Sequence, residues 1–367
     1  MPQSFRTERI EEPALQGSAP LHCSASLRNG VPPPLQSGVG AYAPCVQCPR
    51  KCAADRKTAR GLCGEGDAVR IASACLHFGE EPPVTVFGGS GTIFFTGCTL
   101  RCAFCQNYQI SQNGMGRAVD RTEFVKICRT LEDAGAENIN LVTGSHAIPL
   151  IASYLKSARE EGVSIPFCWN SSAYESVETL ELLEDLVSVW LPDLKTLSPE
   201  LAKHLFGAEN YPEAAALAVR WMIDRFPLSL VQKTKGGTEK EKIERGVIVR
   251  HLFLPGRFSE TADTLAWLKR YADGKALVSL MSQYTPVPFE ESERVKRGAA
   301  ISAIENRLVS PAEDADIRDL IDAHGFEYLF YQELSDDTSW LPDFNRTQPF
   351  SNALAKPVWH WKTGFAV

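Results

Sequence analysis

No stretch of this sequence approaches the roughly 20 consecutive apolar residues that a membrane-spanning helix needs, so a helical membrane protein is not expected. The opening residues, Met1 to Pro13, lack the apolar core of a secretory signal, and Glu8, Glu11 and Glu12 are out of place in a transit peptide. A cytoplasmic location is therefore expected. Positive charge is not in excess either: 38 Lys and Arg stand against 45 Asp and Glu, a net of −7 with His neutral. That balance argues against a nucleic-acid-binding surface. No internal repeat of fixed period runs along the chain, which leaves repeat architectures out.

What is present is an ordinary soluble composition, 44% hydrophobic and 23% charged over 367 residues. Such a chain can bury a large core, and its length suits two domains or one barrel-type domain with extensions. The unusual component is cysteine, of which there are 11. With no secretion signal, disulfides are not expected. Seven of the cysteines fall in two tight groups, a pattern that favours metal binding in a reducing compartment.

The second group reads Phe94-Phe-Thr-Gly-Cys98-Thr-Leu-Arg-Cys102-Ala-Phe104-Cys105-Gln-Asn107, a C-x3-C-x2-C spacing. It supplies three thiolates from one short loop and no fourth. A [4Fe–4S] cluster is normally held by four Cys, so three leave one iron free to bind a small molecule. Three buried thiols, or three zinc ligands with a distant fourth, are the bland alternatives, and three cysteines in eight residues of loop make poor core packing.

The run Cys98-x3-Cys102-x-Phe104-Cys105 resembles the signature of the radical S-adenosylmethionine (radical SAM) enzymes. The resemblance implies a [4Fe–4S] cluster on Cys98, Cys102 and Cys105. It also implies S-adenosylmethionine on the open iron and reductive cleavage to a 5′-deoxyadenosyl radical that abstracts hydrogen from a substrate.

Along the chain, residues 1–44 are rich in Pro, Gly and Ser and read as a loosely ordered leader. Residues 45–80 carry the first cysteine group. From about residue 92 the chain alternates short β-rich runs with amphipathic helices, the mark of parallel βα units. Strands are expected at 91–95, 138–143, 165–169, 187–191, 246–252, 277–281 and 328–331. A helix is expected from Asp120 to Gly135, with Asp120 and Glu123 at capping-box spacing and Phe124, Ile127, Cys128, Leu131 and Ala134 as its apolar stripe. Cys128 reads as core. Six or seven strands are too few to close a barrel, so the expected fold is α/β, a partial (β/α) barrel over 88–290; the resemblance implies that it is of the radical SAM type. A C-terminal extension, 291–367, is expected to pack on it.

In such a fold the functional groups follow the strands. By resemblance, the loop Thr143-Gly144-Ser145-His146 stands where related activating enzymes carry Gly-Gly-Glu to grip the methionine amino group; here no carboxylate is present. His146 is either ligand-facing or a hydrogen-bonding residue of a helix start. Asn170 and Ser171 look like the segment that contacts the ribose, or are a polar turn. Asp193-Leu-Lys195 resembles the family's Asp-x-Lys: residues two apart on extended chain share a face, so Lys195 would neutralise the methionine carboxylate and Asp193 orient it or hold a cation. Phe104 belongs to the same cofactor environment. Arg250 lies in an apolar strand and must meet a carboxylate, since buried charge is costly unless paired. His251 should face the other way and be structural, and Gln283 and Tyr284 are further contacts for adenine or substrate.

The first group, Cys45-Val-Gln-Cys48-Pro-Arg-Lys-Cys52 and Cys63-Gly64, gives C-x2-C-x3-C-x10-C. Four thiolates so close are a metal signal, and zinc or a fully ligated [4Fe–4S] cluster suits them equally. Arg50, Lys51, Arg56, Lys57 and Arg60 would offset the thiolate charge; Cys75 and His77 are spare ligands, and Cys23 is read as free. Together with His77-x2-Glu80-Glu81-Pro82 and Trp340-Leu-Pro-Asp-Phe344, this segment resembles one branch of homologues of pyruvate formate-lyase activating enzymes. The expected substrate is then a glycine in a partner protein, a peptide or a small molecule, with flavodoxin or ferredoxin as electron donor. The rival reading is a non-catalytic electron carrier or zinc or iron–sulfur scaffold.

Overall fold

A computed structural model of the chain describes residues 42–335, 338 and 340–366. Most of the expected leader, including Cys23, lies outside the described residues. The strands are β1 (Arg70–His77), β2 (Gly89–Phe95), β3 (Arg117–Ala118), β4 (Ala136–Val142), β5 (Phe167–Ser171) and β6 (Val189–Pro192). They continue with β7 (Ser229–Lys235), β8 (Thr238–Leu252), β9 (Leu277–Met281), β10 (Leu329–Gln332), β11 (Ala355–His360) and β12 (Gly364–Phe365).

One sheet runs in the order β10-β9-β8-β6-β5-β4-β2-β1-β11-β12. From β2 to β10 the neighbours pair in parallel, seven strands in chain order. These are the seven expected from the sequence, each within a few residues of its place except β8, which begins earlier. The stretch of β8 before Gly246 forms an antiparallel hairpin with β7 around Gly236-Gly237, both at positive φ as a tight turn requires. The result is an α/β fold with an open, parallel-rich sheet, a partial barrel.

The alternation of side chains fixes which groups reach the site. On β5, Phe167 and Trp169 join the large core that the helices share, while Cys168 turns to the other face. That inner face also receives Val189 and Leu191 from β6, Ile248 from β8 and Leu277 from β9. Residues of the same parity nearer the strands' C-terminal ends are polar: Asn140, Asn170 and Arg250. The apolar half closes the lower end of the barrel and the polar half faces the loops.

Residues 79–88, between β1 and β2, fold back into that lower end. Val84 packs among the inner-face apolar side chains. Glu137 holds the loop by accepting hydrogen bonds from the N–H groups of Val86 (3.1 Å), Phe87 (2.6 Å) and Gly88, while Lys242 pairs with the same carboxylate at 2.8 Å. Asn138 donates to the Val84 carbonyl at 3.0 Å.

The helix expected after Asp120 spans Arg121–Asp133, and Asp120 accepts from the Glu123 N–H at 2.8 Å. The Glu123 carboxylate does not complete the box; it binds Arg117 (2.7 Å) and the Trp359 indole (3.0 Å). Phe124, Ile127, Cys128 and Leu131 are buried, each large apolar side chain contributing about 1.5–3 kcal/mol. At the C-terminal end of the chain, β11 pairs antiparallel with β1, and Phe344 and Phe350 pack against Phe94 with ring centres at 5.7 and 5.2 Å.

Candidate active site

The three-cysteine loop leaves the C-terminal end of β2, so the strand that is buried throughout delivers Cys98 to the functional rim. Gly97 enters the turn at φ +74°, and a Cβ there would stand 2.3 Å from the Glu65 side chain; only glycine fits. Cys98 and Cys102 are buried and Cys105 is half-buried. The Cys98 sulfur accepts from the N–H groups of Leu100 (3.4 Å) and Arg101 (3.5 Å), and Cys105 Sγ lies 3.4 Å from the Ser111 hydroxyl. Burial pushes the Cys98 and Cys102 thiols up, while Lys195 draws Cys102 back toward thiolate. Phe104 is buried against Phe206 and Tyr284, edge-on at 6.2 and 6.0 Å.

Facing this loop, β5, β6 and β8 bring four polar side chains together. Asp193 accepts from Lys195 Nζ at 2.9 Å and from Arg250 at 2.7 Å, and Arg250 also donates to the Asn170 side-chain oxygen. The backbone secures the cluster, since the Leu194 N–H donates to the Arg250 carbonyl at 2.8 Å. Burial alone would raise the Asp193 carboxyl, but Arg250 and Lys195 outweigh it and hold it below its ordinary value. Burial would lower Lys195 and Arg250, and Asp193 raises both. One carboxylate thus hydrogen-bonds two cations beside the cysteine loop, and Glu81 and Glu80 also act on Arg250.

The loop Thr143-Gly144-Ser145-His146 is placed differently. Thr143 has φ +64°. A Cβ on Gly144 would meet Ile151 at 2.7 Å and the Trp169 ring at 2.9 Å, so this segment lies tight against the helix-side core. Ser145 donates to Glu175, and Ser171 accepts from the Ala173 N–H at 3.2 Å. His146 is buried with neither ring nitrogen partnered, and burial lowers it to about 3, aided by Arg56 and Arg70. His251 takes the structural place expected, between the Leu194 carbonyl (2.7 Å) and the Thr261 hydroxyl (3.0 Å). Gln283 donates to the Glu333 carbonyl at 2.8 Å, and Tyr284 to Asn306 at 2.6 Å.

Three groups carried no role in the sequence reading. Glu80, from the folded-back loop, is buried against His77 at 3.3 Å; burial raises its carboxyl, and His77 and Arg250 hold it below its ordinary value instead. Neighbouring Glu81 is pushed up by burial. Glu175 is likewise pushed up by burial, with one carboxylate oxygen unpartnered, below the Ser145 hydroxyl. The sequence signs for the first two were Arg250, a buried cation in need of acid, and their place in the run His77-x2-Glu80-Glu81-Pro82.

The four-cysteine segment packs directly on the three-cysteine loop. The Cys98 N–H donates to the Cys63 carbonyl at 3.1 Å. Arg50 turns inward and donates to the carbonyls of Thr99 (2.9 Å), Leu100 (3.1 Å) and Phe206 (2.7 Å). Arg56, also buried, donates to the His146 carbonyl at 2.6 Å and reaches Cys45 Sγ at 3.8 Å. Cys45, Cys48 and Cys63 are buried and Cys52 half-buried; burial takes the Cys48 thiol up to about 12. Among the described residues no three Cys, His, Asp or Glu side chains converge on one ion-sized point, at either cysteine group.

Residues 92–232 match the family model described as the Radical SAM superfamily. The chain is 30% identical over 250 residues to Uncharacterized protein MJ0674 of Methanocaldococcus jannaschii, covering 66% of each chain, just under two thirds of that relative. Among solved structures it is similar to Streptococcus suis SuiB bound to S-adenosylmethionine, at 15% identity and a TM-score of 0.42, over 64% of this chain and 48% of that one. It is also similar to a domain of pyruvate-formate lyase-activating enzyme from Bacteroides vulgatus, at 10% identity and a TM-score of 0.34, over 51% of this chain and 91% of that one. No helix among the described residues is long and apolar enough to cross a membrane. The matched region runs from β2 through the cysteine loop into β7, and membership of that superfamily would imply a [4Fe–4S] cluster and S-adenosylmethionine.

Proposed function

We propose that this protein is a radical SAM enzyme that takes a hydrogen atom from its substrate. The observation that carries this reading is the meeting, at one strand-end rim, of a three-cysteine loop and the Asp193–Lys195–Arg250–Asn170 cluster. The donor set suits the cluster: three thiols on one loop, two of them buried, with N–H donors on Cys98 and the Lys195 ammonium acting on Cys102. When bound, the cluster and S-adenosylmethionine supply a 5′-deoxyadenosyl radical by one-electron cleavage of the sulfonium.

The chain's own residues bind and exclude water. Lys195 and Arg250 present cationic donors to a carboxylate at the rim, with Asp193 fixing both in direction. Asn170 offers its amide to hydroxyl or carboxylate groups, and Arg250 holds it in place. The folded-back loop closes the lower end of the barrel and keeps water from entering there. Activation of a partner protein by forming a glycyl radical is one form of this reading; a peptide or small-molecule substrate are the others.

The test is anaerobic reconstitution followed by S-adenosylmethionine and dithionite, with 5′-deoxyadenosine as the readout. Wild-type protein forms it, and Cys102→Ala loses it by at least about 100-fold. A fully iron-loaded wild type that gives none would establish the electron-carrier alternative instead. Electron paramagnetic resonance of the product mixture with a candidate partner protein separates a glycyl radical from small-molecule turnover.

A further inference from the structure

Two carboxylates, Glu80 and Glu81, are carried into the barrel by the folded-back loop and belong to neither cysteine group. Their place follows from the groups they act on. Burial raises the thiols of Cys75 on β1 and Cys168 on β5, and Glu80 adds to both. Burial also raises Glu80 itself, and His77, Arg250 and Asn140 more than offset it. Glu81 is raised by burial, with Arg250 opposing and Glu80 and Asp193 adding to the rise. The pair thus stands inside the sheet, within electrostatic reach of β1, β5 and β8.

Asn140 is a second and independent sign. It lies on β4 opposite Cys168, whose side chain belongs to the inner face. It is 0% exposed, and neither of its amide atoms has a hydrogen-bond partner. Buried amides are ordinarily paired, so this one stands ready for a group from outside the chain. Such a group can reach the site: the side chains of Arg250, Lys195 and Asp193 keep 13, 17 and 24% exposure, and that of Glu80 keeps 7%. The charges are also uneven. Asp193, Glu80 and Glu81 are three acids against Arg250 and Lys195, and both cations bind Asp193. Glu80 has His77 at 3.3 Å, whereas Glu81 forms no ion pair among the described residues. Nor, among these, do three Cys, His, Asp or Glu side chains converge on an ion-sized point, so the cation that is missing is not a metal already provided for.

We propose that Glu80, Glu81 and Asn140 form a substrate subsite inside the barrel that holds a primary ammonium group, so that the substrate is an amine. This deepens the radical SAM reading and rests on it. An ammonium has three N–H donors and no acceptor; two carboxylates and the Asn140 amide oxygen offer it three acceptors. Its charge offsets the repulsion between Glu80 and Glu81 and gives Glu81 the counter-ion it lacks, which a hydroxyl or a carboxylate does not. Hydrogen bonds between ionised partners are also the strong ones. Anchored there, the substrate lies within the barrel below the rim that carries Lys195 and the cysteine loop. The ammonium belongs either to a free small amine or to a lysine side chain of a peptide.

The experiment titrates n-butylamine, 1-butanol and butyrate into the full-length reconstituted protein and follows the ligand protons by nuclear magnetic resonance. Wild type should bind n-butylammonium at least about tenfold more tightly than either of the others. Glu81→Gln, which keeps the shape and removes the charge, should abolish that preference, and Glu80→Gln should do the same if Glu81→Gln does not fold. Glu239→Gln, on the exposed β7–β8 hairpin, should keep it. N-acetyl-lysine amide as a fourth probe separates the two sources: binding tighter than n-butylamine assigns a peptide side chain, weaker binding a free amine, and either order upholds the ammonium site. Equal affinity for the first three probes in wild type, or an undiminished preference in the glutamine variants, would overturn the proposal. Formation of 5′-deoxyadenosine is scored separately. Amine preference without it keeps the subsite and removes the radical chemistry; its formation with no amine preference removes the subsite alone.

Discussion

A single carboxylate organises the candidate site. Asp193 is the shared partner of Lys195 and Arg250, so replacing it leaves two poorly exposed cations facing each other. Breaking a buried pair in this way costs about 3–5 kcal/mol. Asp193→Ala is expected to lower the melting temperature markedly, and Asp193→Asn, which keeps the hydrogen-bond acceptor, less so; equal melting of wild type and both variants would remove the cluster from the account of stability. Histidine gives the pH dependence. His146 and His251 are held neutral by burial, at about 3 and about 4, whereas the unfolded chain protonates both near 6.5. Below that value the unfolded state binds more protons, so each residue removes up to about 1.4 kcal/mol of stability per pH unit until its folded value is reached. The contribution is intact above pH 6.5 and fades as the pH falls. Melting curves at pH 7 and 5 should show this loss, and His251→Asn should shrink it; an unchanged slope would mean that His251 is already neutralised or charged in both states.

At the level of elements, legibility followed periodicity. The parallel strands could be read from short apolar runs, for β8 only from its apolar half after Gly246, and the helix after Asp120 because its stripe recurs at helical spacing. β1 was not legible, because Cys75 and His77 within Arg70–His77 continue the ligand-rich pattern of the cysteine stretch before it. The loop at 79–88 has no period, and its burial depends on Glu137, some fifty residues away. That dependence is testable. Glu137→Ala would strip three backbone N–H groups and Lys242 of their shared acceptor, and each unsatisfied buried donor costs about 1–3 kcal/mol. The expected outcome is rapid protease cleavage within 79–88 while the helix-side core still resists; uniform resistance would show the loop held by other means. Of the site, the cysteines, Asn170, Asp193, Lys195 and Arg250 were visible as strand-end residues. Glu80 and Glu175 were not, because buried carboxylates announce themselves only through partners brought together by the fold.

For the whole molecule, the chain's last strands complete a sheet begun far earlier. β11 covers the outer edge of β1, and Asp343 accepts from Gln109, just past the cysteine loop, at 3.0 Å, while the Phe344 N–H donates to the same amide at 2.7 Å. Ending the chain at residue 340 would bare the β1 edge and the Phe94 ring together, and an unpaired edge is a template for association. Such a protein is expected to aggregate on size-exclusion chromatography and to retain less iron than wild type. Monodisperse truncated protein with full iron would show that the C-terminal strands are dispensable.

The stopper formed by residues 79–88 has one more result. A half-barrel with its floor sealed by Val84 behaves as a cup and not as a sleeve. No chain can be threaded through it from end to end. Whatever reaches Lys195 and Arg250 must be offered over the lip, or through the open side of the sheet, and must leave by the way it came.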